Sequence, residues 1–300
     1  MQRDFAMDDN WMTRVSRNAA AAASSGSEGT LGSFQRVPAE LGEGPRVALG
    51  MILLATDRVS ARDVARFLPD DDVELFSTRV PMDVMATPET LAAMESHLAA
   101  AAATLVPGGR LDAIGFSCTS GSVAIGPDVV ADRIGTAWKG VPVTNPVDAG
   151  VRALGLFGVR RIALLTPYLD GPSSLIAGYV QAAGFEIVDC ASFHLDGDPE
   201  MNRVTAASII AQGAALGSHP DAEALFISCT GLATRDVVVQ LEALLDRPVI
   251  TSNQAHAFDL LRLAGALYPL PGRGSLFEQA VSVGSSSTPH DRQAAGLRTR

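Results

Sequence analysis

Residues 115–121 read GFSCTSG, and residues 226–231 read FISCTG. Two of the chain's three cysteines, Cys118 and Cys229, thus stand in the same Ser-Cys-Thr frame more than a hundred residues apart. A thiolate is a nucleophile and a base, and a thiol is an acid. A pair placed on opposite sides of one carbon could attack it or take a proton from one face, and deliver a proton to the other. Racemisation and double-bond isomerisation need that two-sided access. Neither needs a cofactor when nearby donors stabilise the intermediate. Thr119 with Ser120, and Thr230 with Gly231, would supply hydroxyl and backbone donors for a carboxylate or a developing enolate. Gly121 and Gly231 allow close backbone approach. A lone cysteine is more often inert core; recurrence in one frame is what points here to chemistry. Cys190 follows EIVD, has no Thr or Gly frame and no counterpart, and reads as structural.

Each frame follows an apolar run and precedes a helical pattern. In parallel α/β folds this puts the cysteine at the carboxyl end of a strand, where ligands bind, and near a helix N-terminus. The dipole and free N–H groups there favour a thiolate, so the thiol pKa is expected to fall below its ordinary value of about 8.5. Runs rich in Val, Ile and Leu at 46–54, 73–77, 113–116, 161–165, 186–188, 224–227 and 249–251 read as buried strands. Helical patterns fall between them at 60–67, 88–105, 128–134, 147–156, 173–183, 202–215, 235–245 and 254–264. Strand alternating with helix implies an α/β fold with parallel sheets.

The pattern repeats. RVALGMI from Arg46 matches RIALLTP from Arg161, and each precedes its cysteine by a similar distance, 72 and 68 positions. PVTN at 142–145 matches PVITSN at 248–253. The expectation is two similar parallel-sheet α/β lobes, at 44–150 and 151–270, related by a pseudo-two-fold axis with a cleft between them. The last helix would cross back onto the first lobe. Residues 1–43 read as a disordered N-terminal arm, and 271–300 as a loosely ordered C-terminal tail.

Composition narrows the partners. A formal net charge of −10 and a pI near 4.9 argue against a nucleic-acid binder, which needs a basic face. Three cysteines in 300 residues make no disulfide framework. No CxxC pair or His cluster marks a metal site. No apolar run is long enough to span a bilayer, and the acidic N-terminus is unlike a secretory signal. The expected location is the cytoplasm, and the expected partner is a small molecule.

The residues also carry a resemblance. GFSCTSGS and FISCTGLAT resemble the first and second cysteine motifs of maleate cis-trans isomerases. These belong to the aspartate/glutamate/hydantoin racemase superfamily, which includes the arylmalonate decarboxylases. The resemblance covers about Pro45 to Leu267. LATD at 54–57 and GDPEMNRV at 197–204 look closest to ectoine-utilisation proteins. The resemblance implies that Cys118 is the nucleophile or first acid/base and Cys229 the opposing proton donor. Thr119, Ser120, Thr230 and Gly231 would line two oxyanion pockets, and Tyr168 would hydrogen-bond a substrate carboxylate. Asn202 is a candidate for the isomerases' active-site asparagine. No cofactor is implied, and a homo-oligomer, dimer or larger, is. One departure concerns the residues after the first strand, where maleate isomerases carry Pro-Ser-x-Asn and this chain has Ala55-Thr56-Asp57. An ionised aspartate cannot donate to a carboxylate. Asp57 therefore suits a substrate with an amino, amidinium or hydroxyl group, as an ectoine-derived compound has. Alternatively, Asp57 caps the helix that starts near Ser60.

Three functions compete: a cofactor-independent isomerase or racemase, an arylmalonate-type decarboxylase, and a two-lobed small-molecule binding protein. The paired thiols favour the first. A decarboxylase resembles only the second motif, and a binding protein needs no opposed thiols. Asn145 and Asn253 either hold loops near the cleft or form ordinary turns, Arg79 could face a carboxylate, and His256 could approach the cleft.

Overall fold

The apolar runs form eight parallel strands in two four-stranded sheets. The computed structural model describes residues 17, 36–42, 44–69 and 71–279. The expected N-terminal arm lies almost wholly outside these residues, as does the tail from 280 onward. One compact unit begins at Pro45. Its first sheet comprises β1 (Val47–Leu54), β2 (Val73–Val80), β3 (Ala113–Phe116) and β4 (Val143–Thr144), in the order β2-β1-β3-β4. The second comprises β5 (Arg161–Tyr168), β6 (Glu186–Leu195), β7 (Ala224–Ile227) and β8 (Val249–Thr251), in the order β6-β5-β7-β8. The same order twice matches the repeat in the sequence. The register is equivalent in the two sheets but shifts the sequence match of Arg46 with Arg161 by two positions: Leu49 pairs with Ala113 in one sheet and Ile162 with Ala224 in the other. The central strands are buried almost throughout, as expected of strands covered by helices on both faces.

Parallel neighbours require crossovers, and helices supply them. In the first half these are α1 (Ser60–Ala65), α2 (Pro88–Ala93), α3 (Glu95–Ala103), α4 (Thr119–Ile125) and α5 (Pro127–Gly135). The continuous 88–105 pattern breaks at Met94, which ends one helix and starts the next. The junction helix α6 (Pro146–Leu156) begins at Asn145, whose side chain accepts from Val147 and Asp148 N–H; this asparagine is a cap. The second half adds α7 (Asp170–Ala182), α8 (Asp198–Met201), α9 (Ala206–Gly217), α10 (Val238–Leu245) and α11 (Ser252–Leu263). The expected 202–215 helix starts later because Thr205 caps α9 by accepting from Ser208 N–H, leaving α8 as a separate turn.

The two halves exchange their last helices. α6 follows β4 yet packs against β8, and α11 follows β8 yet packs against β3, β4 and α1. α6 and α11 also pack together, joined by Arg152 of α6 on the buried Asp259 carboxylate of α11 at 2.5 Å, where Arg262 of the same helix adds a second bond at 2.7 Å. Burial alone would raise the Asp259 pKa, but these bonds outweigh it and hold the group below the usual carboxylate range. One apolar core therefore contains Met51 and Leu53 of β1 together with the second sheet. The chain stays folded past residue 270. α12 (Ser275–Glu278) buries Phe277 against Phe67 at 6.0 Å and edge-on to Phe258 at 5.5 Å. That stretch, expected to be loose, is part of the core. Among the described residues no helix is long and apolar enough to cross a membrane.

Candidate active site

Equivalent strand ends supply the reactive groups. Cys118 stands two residues beyond β3 and Cys229 two residues beyond β7. The preceding serines hold the same place in each sheet: Ser117 N–H donates to Ile52 O at 2.8 Å, and Ser228 N–H to Leu165 O at 2.9 Å. Each sulfur accepts a backbone hydrogen bond at 3.2 Å, Cys118 from Gly121 N–H and Cys229 from Gly231 N–H. A β-carbon on Gly121 would stand 2.8 Å from the Cys118 sulfur, so the first frame requires glycine there. Tyr168, at the end of β5, is buried beside Cys229 and Ser120, and burial pushes its hydroxyl well above the ordinary phenol range. Ser120 Oγ lies 3.9 Å from the Cys118 sulfur. The structure therefore brings Cys118, Cys229, Ser120 and Tyr168 together.

Two of the expected donors are turned elsewhere. Thr119 Oγ donates to Ser252 at 2.9 Å, and Thr230 Oγ donates to the Ser117 carbonyl at 3.2 Å. Both hydroxyls stitch elements together. The backbone N–H groups of Thr119 and Ser120, in the first turn of α4, have no intrahelical carbonyl to reach and remain the natural donors. Asn253 is a loop holder. Its Nδ2 reaches Asp63 at 2.9 Å and the carbonyls of Thr230 and Leu232 at 3.1 Å. Arg79 is likewise spent on carbonyls, those of Leu54 and Asp57. His256 is fully buried against Gly115, and burial pushes its pKa down to about 4. Cys190 lies exposed on β6, in a cavity of about 260 Å³ shared with Asp170 and His194. Among the described residues no group of acidic, His and Cys side chains is arranged to hold a metal.

Asp57 closes the turn into α1. One oxygen accepts from Val59 N–H at 2.8 Å and Ser60 N–H at 3.0 Å, and the other from the Ser60 hydroxyl. The carboxylate thus closes the turn that leads into α1, whose N-cap position itself is Val59, and it pushes the Cys118 and Asp198 pKa values up. Asp57→Asn keeps an acceptor for both N–H groups and is expected to move Tm by less than about 2 °C. Asp57→Ala should cost about 1 kcal/mol, or about 2–4 °C in a calorimetric scan. Lost turnover in the Asn variant at unchanged Tm would return Asp57 to the ligand.

The segments that follow β2 and β6 meet. Met85, beyond β2, forms an isolated antiparallel bridge with Gly197, and Ala86 N–H donates to Asp196 O at 3.2 Å. A side chain at Gly197 would meet the Val84 carbonyl at 2.0 Å, so the approach requires glycine. Just beyond, Thr56 Oγ donates to Asp198, and Asn202 Nδ2 donates to Thr56 O at 3.2 Å. Asp198 escaped the sequence reading because Asp-Pro looks like a plain turn; the only signal was its place inside GDPEMNRV.

Burial reverses the expected thiol chemistry. Each cysteine is only 4% exposed. Burial pushes the Cys118 thiol up to about 12, with the Asp198 charge adding to it; the bonds from Gly121 and Ser120 oppose this and lose. Cys229 rises further, burial again leading. No helix starts at Cys229 either, since the chain turns through 230–237 before α10. Burial thus holds both groups toward the neutral thiol.

The sequence profile of the arylmalonate decarboxylase family (Amdase) matches residues 67–277. An arylmalonate decarboxylase of Bordetella bronchiseptica is 33% identical over 143 residues, 47% of this chain and 60% of that enzyme. A maleate isomerase of Nocardia farcinica is 25% identical over 226 residues, 73% of this chain and 89% of that enzyme. Among solved structures, a maleate cis-trans isomerase variant from Nocardia farcinica carries a covalently bound succinylcysteine intermediate. It superposes with a TM-score of 0.71 at 21% identity, covering 78% of this chain and 98% of that one.

Proposed function

The chain belongs to the arylmalonate decarboxylase family, and from that premise we propose a cofactor-independent isomerase or racemase of a small carboxylate-bearing substrate, with Cys118 and Cys229 as its opposed acid and base. The observation that carries this is the equivalent setting of the two thiols: each is buried, stands two residues beyond its strand and accepts a backbone N–H from the glycine of its own frame. Decarboxylation needs one proton delivered once; a second thiol in the same setting is surplus to it.

For a cis-trans substrate, the thiolate form of Cys118 adds to one alkene carbon. The alkene electron pair takes up a proton from Cys229 at the neighbouring carbon. Rotation about the resulting single bond, return of that proton to Cys229 and expulsion of the Cys118 thiolate complete the cycle. For racemisation, one sulfur takes the α-proton and the other returns one from the opposite face. The first-turn N–H groups of α4, Ser120 and Tyr168 would hold the carboxylate in either case. The succinylcysteine intermediate of the Nocardia enzyme supports the covalent route.

The finer reading is an ectoine or hydroxyectoine catabolite. It is supported by the meeting across the cleft of the two segments that resemble ectoine-utilisation proteins, through Thr56 with Asp198 and Asn202. We further place the protein in the cytoplasm as a homo-oligomer, dimer or larger. A decarboxylase is the second reading, favoured by the 33% identity to the Bordetella enzyme. The test is turnover in D2O followed by proton NMR over candidate carboxylates. Racemised product carrying deuterium at the α-carbon, or isomerised product that gains none, with no CO2 released in either case, is the expected result. Stoichiometric CO2 with one deuteron gained would transfer the assignment to the decarboxylase.

A further inference from the structure

We propose that Asp198, with Asn202, selects the substrate class by accepting from a cationic or hydrogen-bond-donating group at the end remote from the carboxylate, and so turns dicarboxylates away. This rests on the proposed function and names the substrate of that same site.

The cleft has two chemically distinct sides. The first-turn N–H groups of α4 and the Ser120 and Tyr168 hydroxyls are donors. The opposite side, on α8 and the residue just after it, presents acceptors. Asp198 accepts one bond from Thr56, and among the described residues it has no ion-pair partner. Its carboxylate pushes the pKa of both Cys118 and Cys229 up, and burial raises its own. An unpaired buried carboxylate costs stability unless a ligand repays it. Asn202 points the same way. Its Nδ2 donates to the Thr56 carbonyl, which fixes the orientation of the amide. Its Oδ1 is buried, has no partner, and lies 3.2 Å from where a β-carbon on Gly231 would stand, beside Cys229. A buried acceptor without a donor is costly to leave unmade. A second substrate carboxylate would face the Asp198 charge and a carbonyl oxygen, with no donor from either. An ammonium or amide would satisfy both.

Three near-isosteric compounds read this out: maleate, maleamate and cis-4-aminobut-2-enoate. Calorimetric Kd values for the wild type should favour the amino compound over maleate by roughly tenfold or more, with the amide between, because buried polar groups left unpaired discriminate strongly. Asp198→Asn should erase or reverse that order. Thr56→Val removes the hydroxyl that clasps Asp198 but keeps the charge, and should preserve it. Asp198→Asn should also shift the pH dependence of iodoacetamide alkylation of Cys118 and Cys229 to lower pH. Asp57, Tyr168 and the second thiol are the other titratable groups acting there, and all are unchanged. The same affinity order in wild type and Asp198→Asn, equal effects of the two variants, or no binding of any compound to the wild type would overturn the proposal. Lack of turnover with all three would count against the isomerase reading while the affinity order still judged Asp198.

Discussion

Cys118→Ala and Cys229→Ala are each expected to lower turnover by about a thousandfold or more, because a positioned acid or base contributes about 10²–10⁴ and here each also completes the other's half-reaction. The fold should survive. Each side chain is small, and the bond its sulfur accepts comes from a neighbouring glycine in the same loop. Circular dichroism should be unchanged. The two variants should differ in what they trap. With Cys229 removed, Cys118 can still add to an alkene, so intact-protein mass spectrometry should find a substrate-sized adduct. With Cys118 removed, none should form. Wild-type turnover should rise with pH through the alkaline range, since burial raises Cys118 to about 12 and the reacting form is the thiolate. Retained turnover in either alanine variant would end the two-thiol assignment.

That pH dependence marks where sequence reasoning stopped. The repeat, the parallel sheets and the position of each cysteine after its strand were legible, because apolar runs and a recurring frame are local signals. Strands at 113–116, 224–227 and 249–251 fall at those bounds. The thiol environment was not legible, because it depends on burial, and segments such as 82–87 and 196–202 meet only on folding. A helix N-terminus was expected to dominate, and desolvation wins instead. The orientations of the frame threonines were lost for the same reason: their partners, Ser252 and Ser117, lie more than a hundred residues away. α12 was missed because four residues carry no period, though SLF between a glycine and polar residues was a faint mark of an anchor.

The same distance problem hid Asp63, and its replacement carries the largest expected stability effect. Within ARDVARF it reads as a solvent-facing helical residue, yet it is 3% exposed. Its carboxylate accepts four bonds from the far half of the chain. Thr234 N–H and Oγ donate at 2.9 and 3.0 Å, Arg235 N–H at 3.1 Å and Asn253 Nδ2 at 2.9 Å. Asn253 in turn holds the carbonyls of Thr230 and Leu232. The chain from Thr230 to Val237 has no helix or strand of its own to satisfy its backbone, so Asp63 takes that place. Asp63→Ala strands at least two N–H donors in the interior, and breaking such a buried network should cost roughly 3–5 kcal/mol. In a domain of this size that is a fall of about 10 °C in Tm. Asp63→Asn keeps one acceptor but turns an NH2 toward the donors, and should lose an intermediate amount. Because this network positions the loop beside Cys229, kcat measured well below the variant's Tm should fall as well, while the alkylation rate of Cys229 rises as its cover loosens. A calorimetric Tm within about 2 °C of wild type for Asp63→Ala would mean that the loop holds itself, and that the first half of the chain does not set the geometry of the second thiol.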